Sequence, residues 1–144
     1  KFISVRNSNE CAYIIIMSTE IIGISHLERE IIANVVRYNI RDFDYNMVRM
    51  EAGPELSSGS LPDQSDATIL TAKLTAMLRL ANSMDRSHGQ KLKDCRITVK
   101  DKTLTVSAEY SGDITLEAVS FEQKAAFFEE IFGIRPVLKQ KRRV

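Results

Sequence analysis

Leu70, Leu74, Met77, Leu78, Ala81 and Met84 recur at steps of three and four, the spacing of one face of a helix. The pattern predicts a long helix from about Pro62, a residue suited to a first turn, to about Asp85, with those six side chains buried. Asn82, Asp85, Arg86, Ser87 and His88 gather at its C-terminal end, so a core helix delivers polar groups to a surface. Two shorter apolar runs precede it. Asn9–Ile22 reads as a helix with Tyr13, Ile14, Ile16, Met17 and Ile21 inward. Gly23 supplies a turn. Ser25 and Glu28 have the spacing of a capping box, in which the serine oxygen accepts the Glu28 amide and the carboxylate reaches back. They start a helix to about Tyr38, with Leu27, Ile31, Ile32, Val35 and Val36 on the core side. The short connection makes these two helices neighbours.

Between these helices and the long one, Arg41–Met50 has room for one further turn. Gly53-Pro54 breaks it, and Glu55–Gln64 is a loop rich in Ser, Gly and Pro. Lys1–Val5 is a short β-favourable run. The period changes at Gly89. Arg96–Val99 and Thr103–Val106 alternate at period two around Asp101-Lys102, as in a hairpin. Asp113–Leu116 reads as a third strand. Ser120 can cap a helix in which Phe121, Ala125, Phe128, Ile131 and Phe132 share a face, and Gly133 ends it. Pro136–Lys139 reads as a last, edge strand, and Lys139–Val144 as a basic tail. The class expected is α+β: a helical part over 1–89, then a small β-β-β-α-β part over 90–144.

Composition adds bounds. At 144 residues the chain suits one domain or two small ones, and 44% hydrophobic residues suffice for a core. No apolar run approaches a membrane span. Two distant cysteines and two histidines make no zinc pattern, and a reduced, cytoplasmic protein is the simple reading. No Gly-rich phosphate loop, Gly-x-Ser-x-Gly elbow or His-Glu-x-x-His occurs.

The net charge of +1 selects no partner, but the cations are uneven. Arg86, Lys91, Lys93, Arg96, Lys100 and Lys102 face only Asp94 and Asp101 in their stretch, and Lys139, Lys141, Arg142 and Arg143 form a second cluster. Such runs are either solvated faces or a surface for a linear polyanion. Arg86, His88, Lys91 and Lys93 are the candidate polyanion-binding residues. Asp85 and Arg86 are also placed for a local ion pair. Nucleic acid has charge alone in its favour, without aromatic stacking positions. His26 reads as a solvated helix-start residue, and Cys11 as a buried structural cysteine.

The order of residues in Leu78-Arg-Leu-Ala-Asn-Ser-Met-Asp-Arg-Ser-His-Gly-Gln90 resembles the C-terminal region of the exopolyphosphatase and guanosine pentaphosphate phosphatase family. There the run reads Leu-Arg-Leu-Ala-Asp-x-Leu-Asp-Arg-Ser-His-x-Gln, with Asn82 and Met84 as the departures. Gly23–Tyr38 resembles the family's Gly-Phe-Ser-x-x-Glu block ending in Ala-Arg-Tyr-His. The resemblance covers most of the chain.

It implies the end of a helical domain similar to HD-type metal-dependent phosphohydrolases, then a small α/β extension. In the family an actin-like phosphatase module lies upstream and hydrolyses polyphosphate or guanosine pentaphosphate. Nothing in these residues resembles that module. The resemblance also implies that the chain starts inside the helical domain, just after a Leu-His-Asp-Ile-Gly-like segment. It places a His-His-x-His-Ser-x-Tyr pattern where Ser8, Asn9, Glu10, Cys11 and Ala12 stand before Tyr13. The family's Arg-Tyr-His becomes Arg37-Tyr38-Asn39, and its Ala-Asp becomes Ala81-Asn82. Amides and a hydroxyl do not hold a transition metal as imidazole and carboxylate do.

The expectation is therefore a non-catalytic C-terminal module with no cofactor, no catalytic residues and no metal site. It would assist polyphosphate binding, homodimer formation or both, with the upstream phosphatase module as partner and no role for membrane or nucleic acid. Alternatives are an HD-type metal-dependent phosphohydrolase acting on nucleotides, and a pure protein-interaction module.

Overall fold

The computed structural model describes residues 7–45 and 64–141. Its elements are α1 (Ser8–Ser18), α2 (His26–Tyr38), α3 (Gln64–Met84), β1 (Cys95–Lys100), β2 (Thr103–Glu109), α4 (Thr115–Phe132) and β3 (Arg135–Lys141). The class is α+β. The strand expected at 1–5, the loop at 55–63 and the tail end at 142–144 lie outside the described residues. The described chain forms two compact units that divide between Thr75 and Ala76, inside α3. The sequence puts the change at Gly89, where the helical pattern ends. Packing puts Ala76–Met84 with the strands.

In the first unit α1 and α2 pack on each other. α1 is shorter than the apolar run that predicts it. Thr19 leaves the helix in an extended conformation, and its Oγ1 donates to the Ile15 carbonyl at 2.7 Å. No α1 residue is fully buried. Tyr13, Ile16 and Met17 are half-buried, whereas Ile14 and Ile21, expected inward, are exposed. Cys11 is half-buried.

The capping box of α2 forms. Ser25 Oγ accepts the Glu28 amide at 3.2 Å, and Glu28 Oε2 accepts the Ser25 amide at 2.8 Å. The Ser25 amide and the Ser25 hydroxyl, which both donate to that carboxylate at 2.8 Å, hold its pKa below the ordinary value. Ile31, Tyr38 and Ala67 make the small core of this unit, with Leu27, Val35 and Phe43 against it. Ile32 is exposed instead of inward.

The buried side of α3 is only in part the one predicted: Met84 packs against buried clusters and Leu78 is half-buried. Ala67, Thr71, Ala72, Thr75, Ala76, Arg79, Leu80 and Ser83 are buried, while Leu70, Leu74 and Met77 are exposed. Small residues let a helix approach its neighbours closely, and here they take the inner face. Thr71 and Ser83 spend their hydroxyls on the carbonyls of Ala67 (2.8 Å) and Leu80 (2.6 Å), which makes their burial tolerable.

The second unit is a β-β-α-β arrangement with strand order β1-β2-β3. β1 and β2 pair antiparallel around Asp101 and Lys102, whose φ angles of 49° and 57° fit a hairpin turn with two left-handed residues. β2 and β3 pair parallel, as the crossover through α4 allows. Gly133 ends α4 at φ 65°, a conformation that favours glycine. Val106, Leu104 and Leu138 of the sheet pack with Phe121, Phe128, Ala76 and Leu80.

The strand expected at Asp113–Leu116 does not form, and α4 begins at Thr115 rather than near Ser120. Asp113 Oδ1 accepts the Thr115 amide at 3.0 Å and the Thr115 hydroxyl. A carboxylate that satisfies a first-turn amide starts a helix, and these bonds lower the Asp113 pKa.

Candidate functional site

The loop from Asp85 to Asp94 joins α3 to β1 and carries all four candidate residues. The Asp85 carboxylate turns inward to the loop's own backbone and accepts the Gln90 amide at 2.8 Å. The His88 amide donates to the Asp85 carbonyl at 2.9 Å. His88 and Gln90 sit at positive φ, 54° and 49°, an unusual backbone for residues with side chains. The expected Asp85–Arg86 ion pair is not found among the described residues, because Asp85 acts as the loop's brace.

A buried carboxylate on α4 fixes the loop from the other side. Glu117, fully buried, accepts the Ser87 amide at 3.1 Å, the Ser87 hydroxyl, and the Lys91 ammonium at 3.3 Å. Lys91 Nζ also donates to the Asp113 carbonyl at 2.9 Å. Burial pushes the Glu117 pKa up and is the largest single influence. The hydrogen bonds from Ser87, from the backbone amide of Glu117 itself and from Lys91 together outweigh it and hold the pKa below the ordinary glutamate value. Glu117 stands in the first turn of α4, where the helix dipole also favours a negative charge. Leu92 is the loop's apolar anchor, buried with Ala108 and Ile114.

The four candidates therefore differ. Arg86, His88 and Lys93 are exposed. Lys91 has a side-chain exposure of 21% and is tied to Glu117, so it braces the loop. Glu117 lies 26 residues beyond Lys91, and no run of charge in the sequence points to it.

The sheet adds a relation that the sequence hides. Paired residues in neighbouring strands share a face. Arg96 pairs with Ser107, and Ser107 with Lys139. The face that carries Arg96 and Lys100 on β1 thus carries Thr103, Thr105 and Ser107 on β2 and Lys139 and Lys141 on β3. Ile97 and Val99 pair with Val106 and Leu104, so the α4 side is the other face. Glu109 is the one carboxylate among those rows. Residues of the two separate basic runs, about forty positions apart, meet on one polar face of three strands.

The residues at the ligand-like places lie on α1 (Ser8, Asn9, Cys11), just after α2 (Asn39) and on α3 (Asn82). Glu10 there is held by Arg37 and Arg41. Among the described residues no group of three or more His, Cys, Asp or Glu is disposed to hold a metal ion. No helix among them is long and apolar enough to cross a membrane. His26 is exposed, with Nδ1 3.0 Å from Arg29 Nη2.

No curated protein matches the chain. Residues 2–125 match the family model described as Ppx/GppA phosphatase, domain III.

Proposed function

The chain belongs to the Ppx/GppA phosphatase family, and from that premise we propose that it is a non-catalytic C-terminal module which assists binding of polyphosphate. Hydrolysis would belong to an upstream phosphatase module, in the cytoplasm, with no cofactor in this chain. The observation that carries the reading is the convergence of Arg96, Lys100, Lys139 and Lys141 on one sheet face, fed by a loop that exposes Arg86, His88 and Lys93. A linear polyanion needs cations spread along a surface, without a closed pocket. Strands about 4.8 Å apart place Arg96 and Lys139, in one row across β2, at a spacing that spans several phosphate units. The Thr and Ser hydroxyls between them can donate to phosphate oxygens.

A second role, self-association, is favoured by a separate observation. Leu70, Leu74 and Met77 form an exposed apolar stripe along α3, and a second copy is the occupant we propose for it.

Titration of long-chain polyphosphate at two salt concentrations tests the first reading. Wild-type protein should bind, and more weakly at high salt, because exposed contacts are screened within about 8 Å at physiological ionic strength. The double variants Arg86→Ala/Lys93→Ala and Arg96→Ala/Lys139→Ala should each weaken binding and flatten the salt dependence, as fewer counterions are released. Lys91→Ala should act through stability instead. Equal binding by wild type and both double variants, or none by wild type, would leave a pure interaction module.

A further inference from the structure

We propose that β1 is a docking edge for a second copy of this chain, the two β1 strands pairing antiparallel about a two-fold axis at Ile97. β1 is an edge of the sheet, because β2 is its one neighbour in the order β1-β2-β3. Every residue of β1 is exposed. The contact is separate from the α3 stripe and does not rest on the polyphosphate reading.

The hairpin decides which backbone groups are free. Lys100 and Thr103 flank its two-residue turn, and residues that close such a turn exchange both of their backbone hydrogen bonds. Alternation along the strand then aims the amides and carbonyls of Arg96, Thr98 and Lys100 at β2. Those of Cys95, Ile97 and Val99 point outward from the edge. β1 pairs with β2 without a bulge and contains no proline, so it lacks two devices that blunt a free edge. The side chains agree. Ile97 and Val99 are 59% and 60% exposed, since α4 packs on β3. In the pairing about Ile97, that residue meets its own copy and Cys95 meets Val99. An apolar row then continues across the axis and leaves water.

Charge selects both the occupant and the register. About Ile97, Arg96 stands opposite Thr98 of the second copy, and Asp94, one residue before β1, stands opposite its Lys100. The two-fold axis repeats the Asp94–Lys100 pair on its other side. The next pair outward, Lys93 with Asp101, is again of opposite charge. Sliding the second copy by two residues brings Arg96 against Arg96 in one direction and Arg96 against Lys100 in the other. Like charges directly opposite are destabilising in either case. A slide by one residue sets outward backbone groups against groups already bonded to β2. The register about Ile97 thus satisfies backbone, apolar row and charge together. Two three-stranded sheets join into one, with their cationic faces side by side.

The test is sedimentation equilibrium of the full chain over a range of concentrations. The protein carries Leu74→Lys, so that the α3 stripe adds nothing. One strand pair is a small contact, so a weak dimer is expected. Asp94→Lys alone and Lys100→Asp alone should each raise the dissociation constant about tenfold, because each sets like charges opposite on both sides of the axis. The double variant Asp94→Lys/Lys100→Asp exchanges the partners and should restore the dimer. Both positions are exposed, so the circular dichroism spectrum should not change. Independently, Val99→Cys sets a thiol opposite the native Cys95 at a Cα separation of about 5.5 Å, within disulfide reach. A mild oxidant should then link the dimer, and adding Cys95→Ser should prevent the link. Monomer at every concentration would overturn the proposal. So would single charge variants that associate as well as their parent, a double variant no tighter than the singles, or a Val99→Cys protein that stays unlinked.

Discussion

From Ala76 onward, Leu80, Val106, Phe121 and Phe128 meet in one buried cluster. Among the described residues before it, the buried cluster is Ile31, Tyr38 and Ala67, and α1 contributes no fully buried residue. Large apolar side chains are plentiful in that first unit too, yet Ile14, Ile15, Ile22, Ile32, Leu70 and Leu74 are exposed. The second unit packs large side chains into its central cluster, although Ile97, Val99, Leu116 and Val119 are exposed there. The first buries small ones, Ala33, Thr71 and Ala72 among them, and displays many of its large ones. The same amino-acid types thus do two jobs. Stability should be concentrated after residue 76, and most of the exposed large apolar surface before it.

The largest effect should come from the centre of the second unit. Phe121 is fully buried, and Phe121→Ala removes a ring from a packed cluster, at a cost of about 3–5 kcal/mol. Denaturant titration checks it. A loss below about 1 kcal/mol would mean that the second unit does not rest on this cluster, and the contrast would fail.

A smaller effect should come from Glu117, and it carries a pH signature. Glu117→Gln keeps the shape but leaves the Lys91 ammonium without its anion, at a cost of about 1.5–3 kcal/mol for a charged hydrogen bond. The folded pKa of Glu117 lies below its ordinary value. Its contribution is therefore fully present above the unfolded value of about 4.3 and is lost as pH falls through the folded one. The stability gap between wild type and variant should be constant near neutrality and close below about pH 4. A gap that widens in acid would mean that the carboxyl is protonated when it binds Ser87.

The contrast between the units also explains what could be read from the sequence. Features set by neighbouring residues were readable. Examples are the Ser25–Glu28 box, the Asp101-Lys102 hairpin and the Gly133 stop, each fixed by a local hydrogen bond or a backbone angle. Asp113–Leu116 misleads because its alternation mimics a strand, while the decisive contact is one carboxylate on one amide. The face of α3 misleads for a deeper reason. Periodicity weights large apolar residues, but burial on α3 follows the small ones. In the site, the charge run on Asp85–Asp94 was visible, whereas Glu117 and the pairing of Arg96 with Lys139 across Ser107 depend on tertiary register. Local spacing carries no trace of that.

The smallest expected effect is the most informative about the first unit. Periodicity makes Leu74 a core residue, and truncating such a residue to alanine costs about 2–5 kcal/mol. In the structure Leu74 is 37% exposed, so much of its surface already meets solvent in the single chain. The burial lost on truncation is then less than in a core, and Leu74→Ala should cost about 1–2 kcal/mol at dilute concentration, where only monomer is present. If a second copy covers the stripe of Leu70, Leu74 and Met77, the cost should appear in association instead. Sedimentation equilibrium would then show a dissociation constant raised about tenfold for Leu74→Ala, since about 1.4 kcal/mol of lost burial corresponds to a factor of ten. Leu74→Lys should abolish association through the stripe, because it would bury an unpaired ammonium at the contact. Unchanged self-association in both variants would remove the stripe from any interface with a second copy. A monomer destabilised by several kcal/mol would place Leu74 in the core after all, and the contrast between the units would lose its central example.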